Sequence, residues 1–125
     1  EGAQVQHARG PDGRTVGQIV IDEAASRNAV RRKPGASLGP VGVVIGATIG
    51  QTATDFSALG GSILAPGIGA QGGTAADLAA VFLDATRFVL PSTSREVISA
   101  GPTPAGLQAA ATRVLGQMKA IIELR

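Results

Sequence analysis

The residues best suited to chemistry in this chain are those arranged to hold an anion. Pro66-Gly67-Ile68-Gly69-Ala70-Gln71-Gly72-Gly73-Thr74 places four glycines and one side-chain amide between an apolar run at residues 62–65 and a helix-like segment. Glycine adopts positive φ without steric cost and lets the backbone approach a ligand closely. Thr74 is of the N-cap type, and a helix N-terminus preceded by free amides attracts anions. The same composition also suits a tight turn that binds nothing. A second polar turn, Pro91-Ser92-Thr93-Ser94-Arg95, follows the next apolar run.

Other polar residues offer less. The single histidine, His7, cannot by itself build a zinc site, and with no cysteine there is neither a thiolate metal centre nor a disulfide framework. The absence of cysteine fits a reducing compartment, and a cytoplasmic location is the expectation. Arg31-Arg32-Lys33 reads as a solvated helix end favoured by the helix dipole. Asp55, Asp77 and Asp84 read as surface residues of helices, whereas Thr48 either caps a strand end or lines a pocket.

Composition narrows the partners. A formal charge of +2 is too small for binding driven by counterion release, and the chain lacks Trp and Tyr for stacking bases, so nucleic acid is not an expected partner. No apolar run approaches the length of a membrane span, so no membrane partner is expected either. The core must be aliphatic and alanine-rich, since Phe56, Phe82 and Phe88 are the only aromatic residues. With no initiator methionine, the chain reads as a fragment starting at Glu1.

The elements that must position the two turns follow from periodicity. Residues 1–13 read as a loop, with Pro11-Asp12-Gly13 a turn signal. Val16, Ile19, Val20, Ala24 and Ala25 recur at helical spacing and predict an amphipathic helix over 16–30. The β-branched run 41–48 predicts a central strand buried on both faces. Residues 52–59 read as a short helix ended by Gly60-Gly61, and 62–65 as the next strand. A helix over 75–83, a strand over 87–90 and a short helix over 94–99 follow. Thr103 and Pro104 then open a last helix reaching about residue 124, with Leu107, Ala111, Val114, Leu115, Met118, Ile121 and Ile122 on its buried side.

Strict alternation of helix and strand implies right-handed βαβ units and a parallel α/β sheet. In such a sheet both turns lie at carboxyl ends of adjacent strands, where α/β proteins bind ligands, so both can face one anion.

Several stretches carry a family resemblance. They are Ile63-Leu64-Ala65-Pro66-Gly67-Ile68-Gly69-Ala70-Gln71-Gly72-Gly73, the downstream Arg95, Glu1-Gly2-Ala3-Gln4-Val5-Gln6 and Val44-Ile45-Gly46-Ala47-Thr48. Together they resemble the C-terminal part of the orotidine 5′-monophosphate decarboxylase family, in particular its actinobacterial subgroup.

The resemblance implies a TIM (β/α)8 barrel, of which this chain would supply about strands six to eight with their helices. A whole barrel has eight strands and about 250 residues. It also implies that Gln71 contacts phosphate and pyrimidine from a closing loop, that Arg95 grips the phosphate, and that Gly72 and the backbone at Ser94 assist. A guanidinium suits that task because it stays protonated and offers a fork of donors. Where many relatives carry Val-Gly-Arg, this chain has the longer, glycine-free Pro91-Ser92-Thr93-Ser94-Arg95.

The family's chemistry uses a lysine and aspartates in an Asp-x-Lys-x-x-Asp array, and no stretch here matches it. Lys33 follows a helix and Lys119 sits within the last one. This chain should therefore carry no catalytic residue, and alone should be inactive. The parent would be a cofactor-independent carboxy-lyase converting orotidine monophosphate to uridine monophosphate, completed by the N-terminal half of the barrel and forming a homodimer. The alternative is a free-standing phosphate- or nucleotide-binding α/β module, which would have to tolerate two open sheet edges.

Overall fold

The computed structural model describes residues 3–47, 52–68 and 74–122. In chain order these form helices α1 (Ala3–Gln6) and α2 (Val16–Arg31), strands β1 (Val43–Val44) and β2 (Ile63–Pro66), and helix α3 (Ala75–Phe82). A 3-10 turn over Leu83–Phe88 leads to strand β3 (Val89–Ser92), helix α4 (Arg95–Ile98) and helix α5 (Pro104–Ile122). The strands make one sheet in the order β1-β2-β3. Two compact units divide the chain: Glu1–Val43 with Thr52–Ile63, and Val44–Gln51 with Leu64–Arg125. The division falls inside β1 and inside β2.

In the first unit, the Pro11-Asp12-Gly13 turn forms as expected, with Gly13 at φ 78 and an antiparallel bridge between Arg9 and Thr15. The stretch before it is not all loop, because α1 forms there. Thr15 caps α2 by accepting the Gln18 amide at 3.1 Å. The buried face of α2 is Ile21, Ala24 and Asn28, whereas Val20 is 55% exposed. The inward stripe is thus rotated from the expected one.

Asn28 explains the rotation. Its Nδ2 donates to the carbonyls of Val41 at 2.8 Å and Leu59 at 2.9 Å, and its Oδ1 accepts the Val41 amide at 2.9 Å. Buried polar backbone must be paired, and one amide side chain here pairs three groups. Gly39 and Gly61 make room for it: a Cβ on Gly39 would collide with the Asn28 side chain, and one on Gly61 with the Val41 carbonyl.

Residues 52–59 do not form the expected helix. Asp55 accepts the Ser57 amide at 2.8 Å, Thr52 Oγ1 accepts the Thr54 amide at 3.1 Å, and Gln18 pairs with both the amide and carbonyl of Asp55. Short polar side chains that satisfy nearby backbone compete with helix formation. Gly60, at φ 59, supplies the left-handed residue that its sequence promised.

In the second unit, the amide of Ile45 donates to Leu64 and that of Ala47 to Pro66, both at 2.9 Å. That constant offset is a parallel register. β1 borders β2 alone, so it is not the central strand, and Val44 is 68% exposed rather than buried on both faces. β2 occupies the middle, with Ile63 and Ala65 buried and Leu64 exposed between them. β3 begins two residues later than its apolar run predicts and includes Pro91.

Helix α5 packs against α3 and α4. Thr103 caps it through the Gly106 amide at 3.2 Å, with Pro104 at its first position as expected. Ala110, Val114 and Met118 are buried, but Ala111 and Leu115 are exposed. One helical stripe spaced four residues apart is therefore inside, and the adjoining predicted positions are not.

Candidate anion site

The first candidate turn leaves β2 at Pro66. Gly67 adopts φ 100, a conformation that L side chains rarely reach, and both Gly67 and Ile68 are buried. Gln71 and Gly72, with Gly69, Ala70 and Gly73, lie outside the described residues, as does Thr48.

The turn ends in a reciprocal cap. Thr74 Oγ1 accepts the Asp77 amide at 3.2 Å, while the Asp77 carboxylate accepts the Thr74 amide at 2.8 Å and its hydroxyl at 2.7 Å. These hydrogen bonds, the hydroxyl's foremost, hold the Asp77 carboxyl below its ordinary pKa. Asp77 is half-buried rather than a fully exposed surface residue, and it works as a cap. The spacing Thr74-x-x-Asp77 is the signal that could have found it.

The second turn leaves β3 at Ser92, beside β2 in the sheet. Ser94 occupies the N-cap position of α4, but its side chain makes no capping hydrogen bond. The Ser94 carbonyl accepts the amides of Val97 at 3.1 Å and Ile98 at 2.9 Å, which folds the single turn. Ser94 and Arg95 are both exposed. Among the described residues, no hydrogen bond or ion pair engages the Arg95 guanidinium. Amides in the first turn of a helix have no intrahelical acceptor, so the backbone after Ser94 also offers donors.

Several other arginines are occupied. Arg14 bridges Asp12 and Asp22, Arg27 pairs with Glu23 and Arg113 with Glu96, while Arg87 lies 4.5 Å from the centre of the Phe88 ring. The basic run Arg31-Arg32-Lys33 is exposed, consistent with a solvated helix end. His7 is exposed, and among the described residues no three His, Cys, Asp or Glu side chains are placed to share a metal ion. Among those residues, no helix is long and apolar enough to cross a membrane.

What these placements allow is limited and specific. Two parallel strands end side by side at one rim of the sheet. One leads into the glycine-rich segment that precedes a capped helix, the other into a turn bearing an uncommitted guanidinium. Such a rim can receive an anion, but among the described residues it presents no acid, base or nucleophile pair.

No protein-family profile matches the chain. Across 98% of its length it is 55% identical to the orotidine 5′-phosphate decarboxylase of Salinispora arenicola and 53% identical to that of Salinispora tropica. The enzyme of that name from Streptomyces coelicolor is 42% identical over the same share of the chain. A crystal structure from Streptomyces avermitilis, provisionally named as an orotidine 5′-phosphate decarboxylase, superposes with a TM-score of 0.84 at 41% identity over 98% of this chain. The chain spans 42% of the length of these curated relatives and 41% of the solved structure. The resemblance read from the glycine turn therefore extends over nearly the whole chain, and the α/β fold is that of part of a barrel.

Proposed function

We propose that this chain is the C-terminal segment of an orotidine 5′-phosphate decarboxylase, contributing about strands six to eight of the barrel and the rim that binds the substrate phosphate. The observation that carries the reading is 55% identity over 98% of the chain with an enzyme of that name. The parallel ladder and the two turns at one rim of the sheet support it.

In this reading Arg95 meets the phosphate dianion, the backbone at Ser94 adds donors, and Gln71 and Gly72 close over it from the glycine turn. Each charge-assisted hydrogen bond is worth about 1.5–3 kcal/mol. The phosphate is remote from the carbon that loses carbon dioxide. Contacts to it lower the barrier only if they favour the closed, reacting arrangement over the open one. The lysine and aspartates that stabilise and protonate the carbanion belong to the preceding part of the barrel. This chain by itself is then a phosphate-binding piece without decarboxylase activity, and the complete enzyme works in the cytoplasm as a homodimer without a cofactor.

The test is Arg95→Ala in the full-length enzyme, with affinity measured for uridine monophosphate and for uridine. Loss of one such contact should weaken the nucleotide about 10- to 100-fold and leave the nucleoside nearly unchanged. Equal losses for both ligands would remove Arg95 from the phosphate site.

A further inference from the structure

The single turn that presents Arg95 has little of its own to hold it. Helix α4 is four residues long and contains no buried residue, and Ile98 at its end is 68% exposed. A turn this short is also too short to be stable as an isolated helix. What fixes it is α5, the helix it packs against.

Three contacts make that attachment. Arg113 Nη1, three turns into α5, donates to Glu96 Oε1 at 2.7 Å. The Glu96 side chain is only 18% exposed, so this pair is screened less than a fully solvated one. Just after α4, the Ala100 carbonyl approaches Gly106 so closely that a Cβ there would collide with it, and Gly101 sits against Leu107. The last two contacts anchor the chain beyond α4. Among the described residues, the ion pair is the only hydrogen bond or salt bridge made by a side chain of α4, and it forms at the residue next to Arg95.

Resting on the phosphate-site reading, we propose that Glu96 and Arg113 are positioning residues: their ion pair sets the orientation of α4 and thereby aims Arg95 and the Ser94 backbone at the phosphate. The pair does not touch the ligand. Arg113 also neutralises the carboxylate nearest to Arg95 in sequence. Without Arg113, Glu96 would bring an unpaired negative charge near the phosphate site, which repels a dianion.

The experiment uses the full-length enzyme with Glu96→Gln, Arg113→Met, the charge exchange of Glu96→Arg with Arg113→Glu, and Arg95→Ala in parallel. Affinities for uridine monophosphate and for uridine are measured together with the melting temperature. Each single variant of the pair should lose nucleotide affinity on the order of five-fold, the scale of one partly exposed ion pair, with uridine binding unchanged. Arg113→Met should lose more than Glu96→Gln, since it alone leaves an unpaired carboxylate near the phosphate site. The exchanged pair should recover part of the loss.

Normal nucleotide binding in both single variants, alongside a selective loss in Arg95→Ala, would overturn the positioning role and leave the phosphate site standing. Equal losses for nucleotide and nucleoside, tracking the melting temperature, would reduce the pair to a structural one. An unaffected Arg95→Ala would overturn the phosphate site and this proposal together.

Discussion

Arg95 and Asn28 show how differently single residues matter in this chain. Arg95 is exposed and unpaired among the described residues, so replacing it should cost ligand affinity and almost no stability. Asn28 is 2% exposed and satisfies three backbone groups. Asn28→Ala should destabilise the protein by roughly 3 kcal/mol, because burying unpaired backbone groups is costly. Asn28→Asp should be no milder, since a carboxylate would face the carbonyls of Val41 and Leu59. Urea denaturation of both variants checks this, and a change under about 0.5 kcal/mol, the scale of ordinary surface substitutions, would contradict the clasp. Nothing in the sequence singles out Asn28, because a polar residue within an amphipathic helix reads as solvent-facing.

At the scale of elements, helix α3 depends on its reciprocal cap. The Asp77 carboxyl has a lowered pKa, so its contribution to holding the helix start is fully present above the unfolded value of about 3.8. That contribution is lost as pH falls through the lower folded value. An NMR titration should place the Asp77 midpoint below 3.8, and in Thr74→Ala it should move back up. A midpoint at or above 3.8 in the parent would contradict the cap. The beginnings of α3 and α5 were legible from Thr74 and Thr103, because caps are local chemistry. The buried stripes were less so. Ala111 and Leu115 have the right hydrophobicity and spacing for the core, yet α5 leaves both exposed and turns Ala110 inward beside the expected Val114 and Met118. Residues 52–59 failed as a helix for a related reason: Gln18, far away in the chain, takes both the amide and the carbonyl of Asp55 as partners.

On the scale of the whole molecule, the second unit exposes an apolar row. Val44 on β1, Leu64 on β2 and Leu90 on β3 are 68%, 41% and 56% exposed, and the parallel register sets Val44 beside Leu64. A contiguous apolar patch of this kind normally meets a partner surface. In a closed barrel the side chains on that face of each strand fill the interior. The chain expressed alone should therefore bind a hydrophobic dye, and Leu64→Ser with Leu90→Ser should reduce the fluorescence several-fold. Unchanged dye binding in that double variant would place the exposed apolar surface elsewhere. The full-length enzyme should bind little dye.

The sequence by itself determined the α/β class, the caps of α3 and α5 and the family resemblance, because each rests on local spacing or on a contiguous motif such as Pro66 to Gly73. Tertiary structure alone decided that β1 borders the sheet and β2 lies at its centre, that Asn28 faces inward, and that Arg113 reaches Glu96. Those outcomes depend on which surfaces meet once distant segments pack, and hydrophobic patterning along one segment says which residues prefer burial without saying what will cover them.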